Sequence, residues 1–261
     1  MKKIIALMLS LLMVLSVAAC GSDSDKTDLE YVKDKGTLVV GITDFEPMDY
    51  KDEDGEWIGF DADMAKAFAE SLGVKVEFME IDWDNKIMEV EGKTIDCVWN
   101  GMTLTDEVKS GMDCSNPYCE NAQVVVIPAD KADKYNTKES LSDLTFAVEA
   151  GSAGEEEAEA LDLETTPVKT QADALMEVAA GTSDAAIIDL LMAGAMIGEG
   201  TGYENLTYTV KLNSEEYGVG FRKDSNLVEA LNDFFAESLK NGTMMECAEK
   251  YGVQETIISN K

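Results

Sequence analysis

The 261-residue chain carries 52 acidic residues against 21 basic ones, a formal charge of −31, and no histidine. A surface of that sign repels nucleic-acid phosphates and anionic lipid headgroups, which excludes both as binding partners. The missing imidazole excludes Ser-His-Asp and Cys-His catalysis and every histidine-containing metal site, and no metal or cofactor is expected.

Lys2 and Lys3 open the chain, and residues 4–17 are apolar apart from Ser10 and Ser16. That run is too short for a comfortable membrane span and fits a secretory signal. Ala18 and Ala19 before Cys20 resemble a lipobox, in which the thiol is acylated and cleavage leaves Cys20 first. Residues 1–19 are therefore read as a lipoprotein signal, and residues 20–30 as the lipidated cysteine and a polar, flexible tether. About 240 residues remain, enough for one large or two modest domains.

Order is expected from Gly36, with a buried β-branched strand to Ile42. A hairpin-like turn follows at residues 49–56. A helix then opens at Asp61, carries Met64, Phe68 and Leu72 on one stripe, and stops at Gly73. Residues 74–79 alternate as a strand, 83–91 read as a short helix, and 94–99 as another strand. Gln123 to Ile127 is an apolar strand before a polar stretch at 129–140. Strand 144–148, an acidic helix near 155–160, helix 171–180 and strand 184–188 follow. Asp189 stands where helix 190–197 would be capped. Strands at 208–212 and 217–221 precede a long helix over 226–240, ended by Asn241-Gly242. Alternating strands and helices predict an α/β fold with mostly parallel sheets.

Of the cysteines after Cys20 (Cys97, Cys114, Cys119 and Cys247), Cys114 and Cys119 are near enough for a bridge, with buried free thiols the equal alternative.

Several motifs, in order, resemble the family 3 extracellular solute-binding proteins of ABC-type amino-acid importers. They include Phe45-x-Pro47, Gly59-Phe60-Asp61-x-Asp63-Met64-Ala65, Asp82-Trp83 and Gly101-Met102-Thr103-Leu104-Thr105. Gly151-Ser152, Asp184-Ala185-Ala186-Ile187-Ile188-Asp189 and Tyr217-Gly218-Val219-Gly220-Phe221-Arg222 complete the match. The resemblance implies a two-lobed clamshell with two hinge crossings, near Gln123 and Asn213. Lobe 1 would be residues 31–120 plus 216–261, and lobe 2 residues 121–215. It further implies a monomer that captures a small amine-bearing solute and delivers it to membrane permease subunits.

A free amino acid needs a counter-charge for its ammonium, donors for its carboxylate and a wall for its side chain. Asp189 is the ammonium candidate, at the strand mouth where clefts of open α/β sheets lie; a helix N-cap is its competing role. By resemblance, Phe45 and Trp83 sandwich the ligand, and Gly101, Thr103 and Ser152 donate to its carboxylate. Asn100 is a further hydrogen-bonding candidate, while Trp99 on its strand reads as core. The family's carboxylate-gripping arginine is replaced by Val108, and Ala153 replaces a hydroxyl residue. Either Lys109 or backbone amides substitute, or the ligand lacks a free α-carboxylate. Two other readings are an extracytoplasmic enzyme related to cyclohexadienyl dehydratase and a ligand-sensing module.

Overall fold

The computed structural model describes residues 26–259, so the signal segment and Cys20 lie outside the described residues. The first helix, α1, covers Asp28–Lys35. The sequence Thr27-x-x-Glu30 makes it one: the Thr27 side chain accepts from Glu30 N while the Glu30 carboxylate accepts from Thr27 N. The expected tether to residue 30 is corrected accordingly, since residues 28–30 are helical.

Strand β1 (Thr37–Ile42) leads through the hairpin β2 (Tyr50–Lys51) and β3 (Trp57–Ile58) to α2 (Phe60–Leu72). Helix α2 buries Phe60, Met64 and Phe68 and ends at Gly73 in the left-handed region, φ 76°. Next come β4 (Lys75–Glu80), a 3₁₀ turn at Trp83–Asn85, α3 (Lys86–Glu91) and β5 (Cys97–Val98). Helix α4 (Asp106–Gly111), β6 (Asp113–Cys114) and β7 (Cys119–Asn121) finish this half. The second half runs β8 (Gln123–Pro128), β9 (Thr145–Glu149), α5 (Ala153–Ala160), β10 (Glu164–Val168) and α6 (Gln171–Ala180). It continues with β11 (Ala185–Asp189), α7 (Leu190–Met196) and β12 (Leu206–Lys211). Strands β13 (Glu215–Tyr217) and β14 (Gly220–Phe221) return the chain to the first half, and α8 (Leu227–Asn241) and α9 (Thr243–Tyr251) pack there.

Two five-stranded sheets result, ordered β4-β1-β5-β14-β6 and β10-β9-β11-β8-β12. The chain passes between them through the antiparallel ribbon of β7 with β13, where Glu215 faces Asn121 and Tyr217 faces Cys119. Neither sheet is mostly parallel, which corrects that expectation. The pairs β1–β4, β1–β5, β9–β10 and β9–β11 are parallel, whereas those made by β14 and β8 are antiparallel. The antiparallel strands adjoin the crossings, where the chain enters or leaves a half without a helical crossover. Pro167 sits in β10, which is an edge strand and can spare the N–H that proline lacks.

The four described cysteines are free thiols. Trp99 is core, its ring 6.3 Å from Phe68 and 5.5 Å from Phe235. Arg222 is buried too. Its Nε donates to Asp28 at 2.9 Å, its Nη1 to the carbonyls of Ile95 and Val90, and its Nη2 lies 3.5 Å from the fully buried Asp96. It ties α1 to the end of α3 and the approach to β5.

Two buried acids brace the turn that carries Gly101. Asp61 Oδ2 accepts from Gly101 N at 2.6 Å and from the Tyr118 hydroxyl at 2.7 Å, and Asp49 Oδ2 accepts from Asn100 Nδ2 at 2.7 Å. The other oxygen of each has no hydrogen-bond partner. Burial pushes both carboxyls up, Asp61 to about 7, and the charge of Asp61 raises Asp49 further. A carboxyl raised in the folded state binds more protons there than when unfolded. Its contribution is therefore complete below the unfolded value and lost as pH rises through about 7. The ligand-free protein is expected to melt several degrees higher at pH 5.5 than at pH 8.5. Asp49→Asn should flatten that slope, and a melting temperature rising with pH would refute the assignment.

Candidate functional site

The cleft between the two sheets encloses about 410 Å³, open solvent at its mouth included. Phe45, Trp83, Asn100, Gly101, Thr103, Ser152 and Asp189, all singled out in the sequence, line it together. Their roles in the structure differ.

Phe45 and Trp83 are apolar walls, 2% and 7% exposed. Gly101 has φ 54°, and a Cβ there would lie 2.4 Å from the Phe45 ring, so glycine lets this turn meet the aromatic wall. Asn100 is fully engaged. Its Oδ1 accepts from the backbone and hydroxyl of Thr43, and its Nδ2 donates to Thr43 O and Asp49. It shapes the cleft from behind and presents no spare donor. The Thr103 hydroxyl donates to Glu215 at 3.0 Å, joining the cleft floor to the hinge ribbon. Ser152 caps α5, accepting from Glu155 N at 3.2 Å, so the first turn of α5 faces the cleft.

Asp189 occupies the N-cap position of α7, yet its side chain makes no capping bond. Asn121 Oδ1 accepts from Leu191 N instead. That substitution leaves the Asp189 carboxylate aimed into the cleft, held by the amides of Asn121 and Gln171 and the Tyr217 hydroxyl. Burial first, then the nearby Glu215, pushes Asp189 up, against the pull of Tyr217, Gln171 and Gln123.

Three charged residues that sequence reasoning passed over stand in the same cleft, Lys86, Glu149 and, at its exposed edge, Glu156. Lys86 is 5% exposed, and its Nζ crosses between the halves to donate to Gly151 O at 2.7 Å. Burial lowers its pKa, opposed by Glu107, Glu149, Glu156 and Asp84. Glu149, 2% exposed, ends β9 beside β11, and its Oε1 has no hydrogen-bond partner. Lys109, by contrast, is exposed and lines grooves outside this cleft. Val108 lines the cleft wall as an apolar residue, 2% exposed.

The lobes are closed on each other. Besides the Lys86 bond, Lys169 lies 3.4 Å from Asp82, and a Cβ on Gly151 would come 2.7 Å from Asp84 Cα. Gly151 (φ 70°) thus permits an approach that a side chain would block. Among the described residues no group of three or more Cys, Asp or Glu is placed to hold a metal ion.

The profile of the bacterial extracellular solute-binding proteins, family 3, matches residues 38–254. The arginine-binding extracellular protein ArtP of Bacillus subtilis is 29% identical over 261 residues, covering 96% of this chain and 98% of its own. The L-cystine-binding protein TcyJ of Escherichia coli is 30% identical over 240 residues, covering 88% of each. A crystal structure of an ancestral amino acid-binding protein, a precursor of cyclohexadienyl dehydratase, superposes with a TM-score of 0.78 at 32% identity. It covers 85% of this chain and 98% of that one.

Proposed function

The chain belongs to the bacterial extracellular solute-binding proteins, family 3, and on that footing we propose that it captures an amino acid between its lobes and delivers it to an ABC permease. One observation carries the reading. An acid freed from capping, Asp189, and a buried cation, Lys86, face one closed cleft from opposite lobes. Asp189 takes the α-ammonium, and Lys86 with the first turn of α5 takes the α-carboxylate in place of the arginine that Val108 replaces. Phe45 and Trp83 enclose the ligand. Ligand contacts made only with the lobes together favour the closed state, which the permease recognises.

The protein acts outside the cytoplasmic membrane, and Cys20 in Val17-Ala18-Ala19-Cys20 supports a lipid anchor. No catalytic step is assigned. The solved relative that leads toward a dehydratase is itself an amino acid-binding protein.

The test is a thermal-shift comparison of L-amino acids with the amines left by their decarboxylation. A ligand at ~1,000 times its dissociation constant adds about 4 kcal/mol, on the order of ten degrees in a chain of this size. At least one amino acid is expected to raise the melting temperature more than its decarboxylated partner, and Lys86→Met to remove that preference. A shift only with decarboxylated amines would refute the role of Lys86. Silence from every amino acid would refute the function.

A further inference from the structure

We propose that Glu149 is a second anionic anchor in the cleft and selects a ligand carrying a cationic side chain, so that the solute is a dibasic amino acid. The inference rests on the amino-acid-binding reading and deepens it. Asp189 is well supplied by Asn121, Gln171 and Tyr217, whereas Glu149 ends the neighbouring strand with Oε1 unpartnered at 2% exposure. A buried carboxylate oxygen left bare is costly, and a donor from the ligand removes the cost. The nearby cation does not fill it: the Lys86 ammonium donates to Gly151 O and Trp83 O, and Glu149 Oε1 stays without a partner.

Charge balance points the same way. Asp189 and Glu149 face Lys86 in the cleft, with Glu156 at its edge and Glu215 behind. A zwitterion adds no net charge to that surplus of acids, whereas a dibasic amino acid adds one positive charge. The Phe45 ring favours a cation further, while the Trp83 ring already carries Lys86 Nζ, 5.2 Å from its centroid. Burial, then Asp189, pushes the Glu149 carboxyl up to about 8, against Lys86, Gln171 and Thr43. That cost of charging Glu149 is what a cation on the ligand would offset.

Calorimetric titration of the purified protein with L-arginine, L-lysine, L-citrulline and L-glutamine tests this. Citrulline keeps the shape of arginine without its charge. Arginine or lysine is expected to bind at least about 30-fold more tightly than either neutral amino acid, and Glu149→Gln to remove most of that preference while sparing citrulline. Neutral amino acids binding the unmodified protein as tightly as dibasic ones would overturn the proposal and leave the general function standing. So would a Glu149→Gln variant that weakens arginine and citrulline equally, since Glu149 would then serve the common α-ammonium. Absence of binding by all four would overturn the proposal, and the amino-acid panel above then decides the broader reading separately.

Discussion

Replacing Asp189 with alanine is expected to lower amino-acid affinity by about two to three orders of magnitude while the chain keeps its helices. An ammonium buried against a carboxylate loses about 2–5 kcal/mol when its partner is truncated, much of it from the unpaired charge left behind. The fold survives because the helix that starts at Asp189 does not depend on its side chain. Asn121 supplies the cap to Leu191 N. Gln171 and Tyr217 lose an acceptor, but the variant also removes a buried carboxyl whose charge is disfavoured by desolvation and Glu215. Calorimetric titration together with far-ultraviolet circular dichroism separates the two effects. Unchanged affinity with an intact spectrum would take Asp189 out of the site, and a lost helical signal would make it structural.

Arg222→Met should have the largest effect on stability, about 3 kcal/mol or more, which lowers the melting temperature on the order of ten degrees. Methionine fills a similar volume but withdraws the donors to Val90 O and Ile95 O and the counter-charge of Asp28 and Asp96. Lys35, 2.6 Å from Asp96, keeps that carboxylate paired, which limits the loss. Ligand affinity of the folded variant should not change, because Arg222 lies outside the cleft. Thermal melts checked against denaturant unfolding decide it. A loss below about 1 kcal/mol would mean that the guanidinium is replaceable by packing alone.

The long periodic elements and the cleft walls were legible in the sequence, because their signals are local: apolar stripes, glycine stops and short motifs. Helix α1 was not read: Thr27-x-x-Glu30 marks its start, but its polar composition resembles a tether. Strands β7 and β13 are short and polar, Cys-Glu-Asn and Glu-Glu-Tyr, with nothing in their period to mark them. Tyr217 to Phe221 is divided between β13 and β14, where Gly218 N turns aside to Met102 O. Lys86 and Glu149 were missed for a different reason. Lysine on a short helix and glutamate at a strand end are ordinary surface residues, and here the facing lobe buries them. The Lys86 bond spans 65 positions, and no local pattern encodes it. Asn100 carries the converse lesson: a free-looking amide is consumed by Thr43 and Asp49.

The bond from Lys86 to Gly151 O joins the lobes through the protein's own atoms. A receptor reports its cargo by the contrast between how often it is shut when loaded and when empty. A latch made from the protein's own atoms raises the empty-shut population, narrowing that contrast from below while lessening the work left to the ligand. Sensitivity to scarce solute and freedom from false reports are thus set against each other at a single ammonium.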